Sequence, residues 1–235
     1  MGRGTVERRL VTSSQPGRGP RPGSIGIMGG TFDPIHVGHL AVAEEARDAL
    51  GLERILFVVA GTPPHKAAGA VTRFEDRLAM VELAIAGNPA FELSRIEVDR
   101  PGPSYSADTV VELDRLERAA GRRPDLTVIM SAETFADLPS WHEPERLLAL
   151  ARVAVVPREG YPAPEPGWLA RQVPAVGDAG GGQEARVDFL EGPRLGLSST
   201  ALRDRVANSR SIRYLVPDPV EAYIAGHRLY RAAGR

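Results

Sequence analysis

Short apolar runs alternate with segments of helical periodicity along nearly the whole chain after residue 23. An apolar run bounded by turn residues predicts a buried strand, and apolar residues three or four positions apart predict a helix. Strands that are apolar on both faces and joined by helices form parallel sheets with helices on both sides. We therefore expect an α/β fold. The predicted strands are 24–28, 54–60, 91–98, 125–130 and 152–156, and the predicted helices are 37–50, 72–87, 106–120, 143–151, 198–208 and 219–230.

Capping side chains are expected at the starts of two of these helices. Thr72 and Glu75 have the spacing of a capping box, in which two side chains satisfy backbone N–H groups of the first turn. Asp218 comes directly before Pro219, and a carboxylate cap followed by proline is a common helix start. We expect the second and the last predicted helices to begin in these two ways.

Charge and composition exclude several classes of protein. The 235 residues carry 29 basic and 30 acidic side chains and no cysteine. Neither a broad basic surface for nucleic acid nor a disulfide framework is therefore expected. No apolar run approaches the roughly 20 residues that span a bilayer. We expect a cytoplasmic protein that has no membrane or nucleic-acid partner.

The domain organisation is expected to be simple. Residues 1–23 are rich in arginine, glycine and proline and have little to bury, which predicts a disordered basic tail. The remaining residues, 24–235, have the length and apolar content of a single domain. Within it, residues 159–184 are rich in proline and glycine, and this composition predicts a mobile loop.

A segment containing glycine and histidine, GGTFDPIHVGHL at residues 29–40, joins the first predicted strand to the first predicted helix. His36 and His39 then lie on one face of the first helical turn, beside free N–H groups and the positive end of the helix dipole. This arrangement favours phosphate, because imidazoles there can donate hydrogen bonds to phosphoryl oxygens. A capping or surface histidine is the alternative for either residue alone. A metal site is poorly supported, since no cysteine or suitably spaced carboxylate completes a ligand set.

Loops that follow the other predicted strands carry further candidates, and ligands of parallel sheets bind beyond the carboxyl ends of the strands. Lys66 is the only lysine in the chain and can reach a phosphate there, although a solvated lysine is the alternative. Ser104-Tyr105-Ser106 precedes a helix, which Ser106 can cap while N–H groups bind an anion. Trp141 either stacks on a substrate ring or packs in the core.

Three hydroxyl residues and an arginine open the penultimate predicted helix, in the run Ser198-Ser199-Thr200-Ala201-Leu202-Arg203. Hydroxyls and N–H groups at a helix start can bind phosphates, and the guanidinium adds a charged fork. A plain capped helix would explain one of these serines, but it would not explain the histidine segment earlier in the chain. We expect both helix starts and the loops between them to converge on one crevice.

Together these motifs resemble those of the nicotinate-nucleotide adenylyltransferases, a branch of the HxGH nucleotidyltransferase superfamily. The matching segments are GGTFDPIHxGHL at 29–40, PPHK at 63–66, S-Y-[ST] at 104–106, P-[ST]-W at 139–141 and [IL]-S-[SA]-T-x-[IVL]-R at 197–203. The resemblance implies a Rossmann-like, doubly wound parallel sheet over about residues 24–230. It also implies transfer of the adenylyl group of ATP to nicotinate mononucleotide, giving nicotinate adenine dinucleotide and pyrophosphate in NAD biosynthesis.

The resemblance further implies a role for each matching residue. The expected catalytic residues are His36 and His39. The expected ATP-binding residues are Gly29, Gly30, Thr31, Phe32, His36, His39, Ser198, Ser199, Thr200 and Arg203. The expected residues for nicotinate mononucleotide are His65, Lys66, Ser104, Tyr105, Ser106, Glu133, Trp141, His142 and Arg158. Mg²⁺ is expected to arrive with ATP rather than in a protein cage, and the chain is a candidate homo-oligomer.

One segment departs from the family pattern. Where the family usually has G-x-D after the fourth strand, this chain has Ser131-Ala132-Glu133. Glu133 keeps a negative charge that can accept a ribose hydroxyl, but its side chain is longer. The sequence does not decide between a nicotinate and a nicotinamide acceptor.

Three other functions stay open at this point. A phosphopantetheine adenylyltransferase shares the histidine and serine-threonine motifs but lacks the PPHK and Trp141 contexts. A class I aminoacyl-tRNA synthetase would need a lysine-rich segment and a second large domain. A catalytically silent nucleotide-binding regulator would keep the phosphate contacts and lose the acceptor geometry.

Overall fold

The computed structural model describes residues 7–11, 19–61, 71–100, 102–157, 160–162, 164–165, 167–173, 186–192 and 196–231. Within these residues the strands are β1 (Glu7–Val11), β2 (Arg21–Gly30), β3 (Leu52–Val59), β4 (Phe91–Ser94), β5 (Asp125–Ser131), β6 (Ala151–Val156) and β7 (Arg186–Leu190). They form one sheet with the order β1-β7-β6-β5-β2-β3-β4, and every neighbouring pair is parallel.

Helices connect most of these strands. Within the described residues they are α1 (Val37–Leu50), α2 (Phe74–Ile85), α3 (Ser106–Ala119), α4 (Ala132–Asp137), α5 (Pro144–Leu150), α6 (Trp168–Gln172), α7 (Ser199–Ala207) and α8 (Asp218–Gly226). A 3₁₀ turn, Leu138–Ser140, follows α4. No helix in these ranges is both long and apolar enough to cross a membrane.

The chain reverses its direction of winding between β2 and β5. It runs outward from β2 through β3 to β4, then returns to form β5 on the other side of β2 and continues to β6 and β7. This order confirms the Rossmann-like, doubly wound parallel sheet. Two neighbouring strands whose connections leave in opposite directions open a crevice at their carboxyl ends. The crevice of this protein therefore lies beyond Gly30 of β2 and Ser131 of β5.

Apolar side chains fill the space on both faces of the sheet. Strand β3 shows how: Ile55, Phe57 and Val59 join the core under α1, α2, α7 and α8, whereas Leu56 and Val58 join the core under α3 to α6. Alternate residues of a strand point to opposite faces. A strand buried on both faces therefore reads as a continuous apolar run.

The N-terminal expectation was wrong in part. Glu7–Val11 is not a disordered tail but β1, which pairs in parallel with β7 from Glu7↔Arg186 to Val11↔Leu190. Strand β2 also begins at Arg21, three residues before the expected boundary of the domain. A strand pairs with a sheet edge through its backbone N–H and C=O groups, which do not depend on particular side chains. Composition alone therefore gave no signal for β1.

Residues 159–184 contain more structure than a mobile loop. The short helix α6 lies within them, with Leu169 buried and the ring of Trp168 5.5 Å from that of Phe135. The sequence also failed to predict β7 and α4. Helix α6 is thus held by apolar packing, which the proline and glycine content of the segment did not indicate.

Both predicted helix caps were wrong. Helix α2 begins at Phe74 after Arg73, and the N–H of Thr72 donates to the carboxylate of Asp33 at 3.1 Å. Helix α8 begins at Asp218 itself and has no side-chain cap. In the first case a long-range contact replaces the local one. Capping patterns are local preferences that tertiary contacts override.

Candidate active site

A cavity of about 500 Å³ occupies the crevice beyond β2 and β5. Its walls include Gly30 at the end of β2, Ala60 after β3, Ser104 before α3 and Ser131 at the end of β5. The predicted convergence of these loops is therefore confirmed. The expected site residues that line the cavity are Gly29, Gly30, Thr31, His36, His39, Ser104, Ser106, Glu133, Trp141, Ser198 and Ser199.

Other expected residues lie beside the cavity rather than in its wall, or cannot be placed. Phe32, Tyr105, His142, Thr200 and Arg203 belong to the first group. The second group comprises His65, Lys66 and Arg158, which are outside the described residues.

The two histidines form a stacked pair at the start of α1. His36 is the N-cap, with extended backbone angles, and its ring lies 3.7 Å from the ring of His39 with an angle of 22° between the planes. The backbone N–H of His36 donates to Nδ1 of His39 at 3.2 Å. A neutral imidazole that accepts at Nδ1 carries its hydrogen on Nε2. His39 therefore has an N–H donor on the side of its ring away from this contact.

Neighbours hold this pair closely. Phe32 is 2% exposed, and its ring meets the ring of His39 edge-on at 5.1 Å. Phe32 thus supports an imidazole instead of facing the cavity. Gly38 lies under His36, where a Cβ would come within 3.0 Å of Nδ1. Glycine at this position allows the ring of His36 to lie against the helix.

The start of α7 is joined to the loop before α1. Ser198 caps α7 by accepting from the N–H of Ala201 at 3.2 Å, and the hydroxyl of Ser199 donates to the carbonyl of Pro34 at 2.9 Å. Arg203 donates to the carbonyl of Asp33 at 2.7 Å. Two helix starts, each with a positive dipole end, are therefore fixed beside one cavity.

A buried charged cluster supports the loop from below. Asp33 is 1% exposed and accepts from the hydroxyl of Tyr230 at 2.7 Å as well as from Thr72. Arg77, 2% exposed, donates to the carbonyl of Thr31 at 2.9 Å. Burial lowers the pKa of Arg77, with the nearby Asp33 opposing it, and burial together with Asp33 raises the pKa of Tyr230.

One side of the cavity is lined by residues of α3 and α4 and by Trp141, which follows the 3₁₀ turn. Trp141 lines the cavity and also packs against the apolar core. Core packing is therefore part of its role, and stacking on a substrate ring stays a prediction. The rings of Tyr105 and His142 lie 4.2 Å apart. Ser106 is the first residue of α3 and not its cap, because Tyr105 occupies the cap position without a side-chain hydrogen bond.

The segment that departs from the family pattern is well accommodated. Ser131 caps α4 by accepting from the N–H of Thr134 at 3.2 Å, and its φ of −74° suits any residue. Glycine is therefore not required here. Glu133 lies in the first turn of α4 and lines the cavity.

Comparison with known proteins agrees with this geometry. A cytidylyltransferase-like family model matches residues 27–205, a range that contains every residue lining the cavity. The probable nicotinate-nucleotide adenylyltransferase of Roseiflexus sp. (strain RS-1) is 50% identical over 207 residues, which cover 88% of this chain and 98% of that protein. The chain belongs to the nicotinate-nucleotide adenylyltransferase family. Its resemblance to that family, drawn from five motifs, is confirmed.

Two further nicotinate-nucleotide adenylyltransferases match this chain over nearly their whole length. A probable enzyme of Thermus thermophilus is 44% identical over 207 residues, covering 88% of this chain and 99% of the relative. The solved structure of Plasmodium falciparum nicotinic acid mononucleotide adenylyltransferase complexed with NaAD matches with a TM-score of 0.69 at 17% identity, covering 88% and 97% of the two chains. At that identity the likeness shows a shared fold.

Three charged residues at or beside the site of this nicotinate-nucleotide adenylyltransferase were not predicted from the sequence. Asp33 and Arg77 support the loop between β2 and α1, and Glu97 lines the cavity while only 7% exposed. Asp33 stands inside the histidine motif, which was the one available signal. Arg77 and Glu97 stand in ordinary charged stretches, where a buried residue and a solvated one look alike.

Proposed function

We infer that this chain transfers the adenylyl group of ATP to nicotinate mononucleotide, giving nicotinate adenine dinucleotide and pyrophosphate in NAD biosynthesis. One observation carries the inference: a single cavity brings His36 and His39 together with Ser198 and with Trp141. A triphosphate between two helix starts and a pyridine ring beside the indole would then share one space. The names of the similar proteins describe this same reaction.

The chemistry is an in-line displacement at phosphorus. A phosphate oxygen of nicotinate mononucleotide attacks the α-phosphorus of ATP and forms a new P–O bond. The bond from that phosphorus to the α,β-bridging oxygen breaks, and its electron pair leaves with pyrophosphate. The acceptor phosphate already carries the attacking charge, so the protein needs no nucleophile. Positioning and electrostatic stabilisation supply the catalysis.

His36 and His39 are the proposed catalytic residues. The Nε2–H of His39 is a donor for phosphoryl oxygens on which charge grows in the transition state. The stacked ring of His36 holds His39 in place and lies at the positive end of the α1 dipole. Thr31 and the glycines of β2 let the phosphates approach the main chain, and Phe32 acts through its contact with His39.

The start of α7 is proposed to hold the pyrophosphate end of ATP. The hydroxyl of Ser199 already donates to Pro34, so its contribution is the backbone at the helix start. Arg203 and Thr200 contact each other at 3.3 Å and flank this start. They supply positive charge and a hydroxyl near the leaving group.

Nicotinate mononucleotide is proposed to bind between Trp141 and the start of α3. The indole stacks on the pyridine ring, and the N–H groups near Ser104, Tyr105 and Ser106 receive the carboxylate. The remaining proposed contacts are Glu133 on the ribose, His142 beside Tyr105, and His65, Lys66 and Arg158 on the phosphate.

Mg²⁺ is proposed to enter with ATP and to neutralise charge on the phosphate oxygens. No group of three or more His, Asp or Glu side chains in the described ranges could hold a metal ion. In this proposal the phosphate oxygens of ATP would supply the principal ligands of Mg²⁺. Because the reaction consumes ATP, we propose a cytoplasmic location, and homo-oligomerisation stays a prediction for sedimentation analysis.

The test is a pyrophosphate-release assay with ATP, Mg²⁺ and one acceptor at a time. Nicotinate mononucleotide, nicotinamide mononucleotide and phosphopantetheine are compared at equal enzyme concentration. We expect the highest kcat/KM with nicotinate mononucleotide. A higher value with phosphopantetheine would reassign the enzyme, and ATP binding without pyrophosphate release from any acceptor would identify a silent nucleotide-binding protein.

A further inference from the structure

Glu97 is a buried carboxylate on the acceptor side of the cavity, and the reaction as proposed above assigns it no role. Strand β4 ends at Ser94 instead of continuing to Val98 as predicted. The chain then turns, with the N–H of Val98 donating to the carbonyl of Arg95 at 2.9 Å. This turn brings Glu97 to the cavity wall, 7% exposed. A carboxylate buried to this degree requires hydrogen-bond partners.

A hydroxyl group of α3 supplies one. The hydroxyl of Thr109, itself 2% exposed, donates to Glu97 at 2.7 Å. Burial raises the pKa of Glu97, while the hydroxyls of Thr109 and Ser104 and the nearby Arg100 oppose the rise.

The same contacts join three separate segments of the chain. Ser104 accepts from the N–H of Gly61, just after β3, at 3.1 Å. Gly61 lies so close to the turn that a Cβ would come within 3.0 Å of the carbonyl oxygen of Glu97. Arg100 reaches the carbonyl of Tyr105 at 3.3 Å. The loop that begins α3 is thus fastened to the turn after β4 and to the end of β3.

These contacts bear on the start of α3. The hydroxyl oxygen of Ser104 accepts from Gly61, which holds the residue against the end of β3. Thr109 lies in the first turn of α3, so its hydrogen bond to Glu97 fixes the place where this helix begins. The backbone N–H groups at that start are the ones proposed to receive the substrate carboxylate.

We propose that Glu97 is a positioning residue which, through Thr109, sets the place of the loop before α3 (residues 102–105), so that the enzyme prefers a pyridine mononucleotide bearing a carboxylate. The proposal rests on the proposed function, because it concerns the acceptor of that reaction. Glu97 acts through the loop and does not touch the reacting atoms.

The test uses the full chain with the substitutions Glu97→Gln and Thr109→Val. Glutamine removes the negative charge and can present an NH2 group to Thr109 where the carboxylate presents an oxygen, and valine removes the hydroxyl of residue 109 altogether. We expect KM for nicotinate mononucleotide to rise roughly tenfold in each variant, with KM for ATP changed less than about twofold. The ratio of kcat/KM for nicotinate over nicotinamide mononucleotide should fall. Thr109→Ser, which keeps the hydroxyl, should restore both values.

The matched control is Glu92→Gln, a glutamate of β4 whose side chain is 48% exposed. It should leave both KM values and the acceptor ratio unchanged. An unchanged acceptor KM and ratio in folded Glu97→Gln would overturn the proposal, as would an equal rise of both KM values. Should Glu97→Gln not fold, Thr109→Val and Thr109→Ser decide the question. Failure of the proposed function is distinct, because the unmodified chain would then not turn over nicotinate mononucleotide.

Discussion

The guanidinium of Arg203 donates a hydrogen bond to the carbonyl of Asp33 at 2.7 Å, although 170 positions separate the two residues. This contact fixes the start of α7 against the loop that leads into α1. The two helix starts proposed to hold the triphosphate thus keep one spacing. Arg203 was expected only to bind phosphate, and it also holds the start of α7 against the loop before α1.

Substitution of Arg203 tests this double role. In Arg203→Met the Asp33 carbonyl loses its partner and the positive charge disappears. We expect KM for ATP to rise roughly tenfold or more, because a hydrogen bond to a charged group is worth about 1.5–3 kcal/mol. Arg203→Lys should recover only part of the loss, since a lysine cannot reproduce the fork geometry. Steady-state kinetics at varied ATP measures both.

The control for Arg203 is Arg210→Met, an exposed arginine that follows α7. Its kinetics should match those of the unmodified chain. Equal KM values for ATP in Arg203→Met and Arg210→Met would remove Arg203 from the site.

His39→Ala is expected to act on the transition state. Loss of a donor aimed at developing charge lowers kcat by on the order of 10² or more, with a modest change of KM for ATP. His227→Ala is the control, because His227 is exposed and stacks on Tyr223 in the last helix. A kcat for His39→Ala close to that of His227→Ala would exclude the catalytic role. Circular dichroism establishes that each variant is folded.

The parts that the sequence predicted are those in which local pattern and tertiary structure agree. The 14 residues of α1 were predicted from Val37 to Leu50 because their apolar spacing matches the face that the sheet buries. The carboxyl ends of β2 and β5 were predicted to meet because parallel strands share an edge. The site location follows from the same rule.

The missed parts depend on contacts that no local pattern encodes. Strand β1 exists through backbone pairing with β7, about 180 positions away by the register Glu7↔Arg186. Thr72 has the spacing of a cap, yet its N–H donates to the carboxylate of Asp33 in the loop between β2 and α1. Glu97 was predicted to continue a strand, and the turn after Ser94 gave it a place in the cavity wall. Sequence spacing shows neither partner nor burial for such residues.

Tyr230→Phe tests the buried cluster of Asp33, Arg77 and Tyr230 that supports the loop between β2 and α1. The change removes only the hydroxyl that donates to Asp33 at 2.7 Å, and leaves the carboxylate with fewer donors. We expect the free energy of unfolding to fall by about 1.5–3 kcal/mol, as for loss of a hydrogen bond to a charged group. Urea denaturation measures the difference. Tyr214→Phe, at a side chain 75% exposed, should change stability by less than about 0.5 kcal/mol. Equal losses in the two variants would contradict a stabilising role for the Tyr230 hydroxyl.

We expect Glu97 to make the stability of the folded protein depend on pH. Burial raises its pKa above the ordinary value of 4.5, with Thr109, Ser104 and Arg100 opposing. Between the unfolded and folded values the native state binds more protons, so its stability falls as pH rises through that interval. In Glu97→Gln this contribution is absent. The stability of the unmodified chain relative to the variant should therefore decrease as pH rises from about 4.5, measured by urea denaturation across the range. A difference that grows with pH would show the opposite shift.

Substitution of each of the two tryptophans distinguishes substrate binding from core packing. Trp141 lines the cavity, whereas Trp168 in α6 packs against Phe135 at 5.5 Å. Stacking of an aromatic side chain on a base is worth about 1–3 kcal/mol, so Trp141→Leu should raise KM for nicotinate mononucleotide roughly tenfold and leave KM for ATP unchanged. Trp168→Leu should instead lower the free energy of unfolding by about 1–3 kcal/mol with both KM values preserved. Kinetics and urea denaturation on the same preparations distinguish the two effects. If Trp141→Leu changed only stability, the indole would be a core residue and the pyridine ring would need another wall.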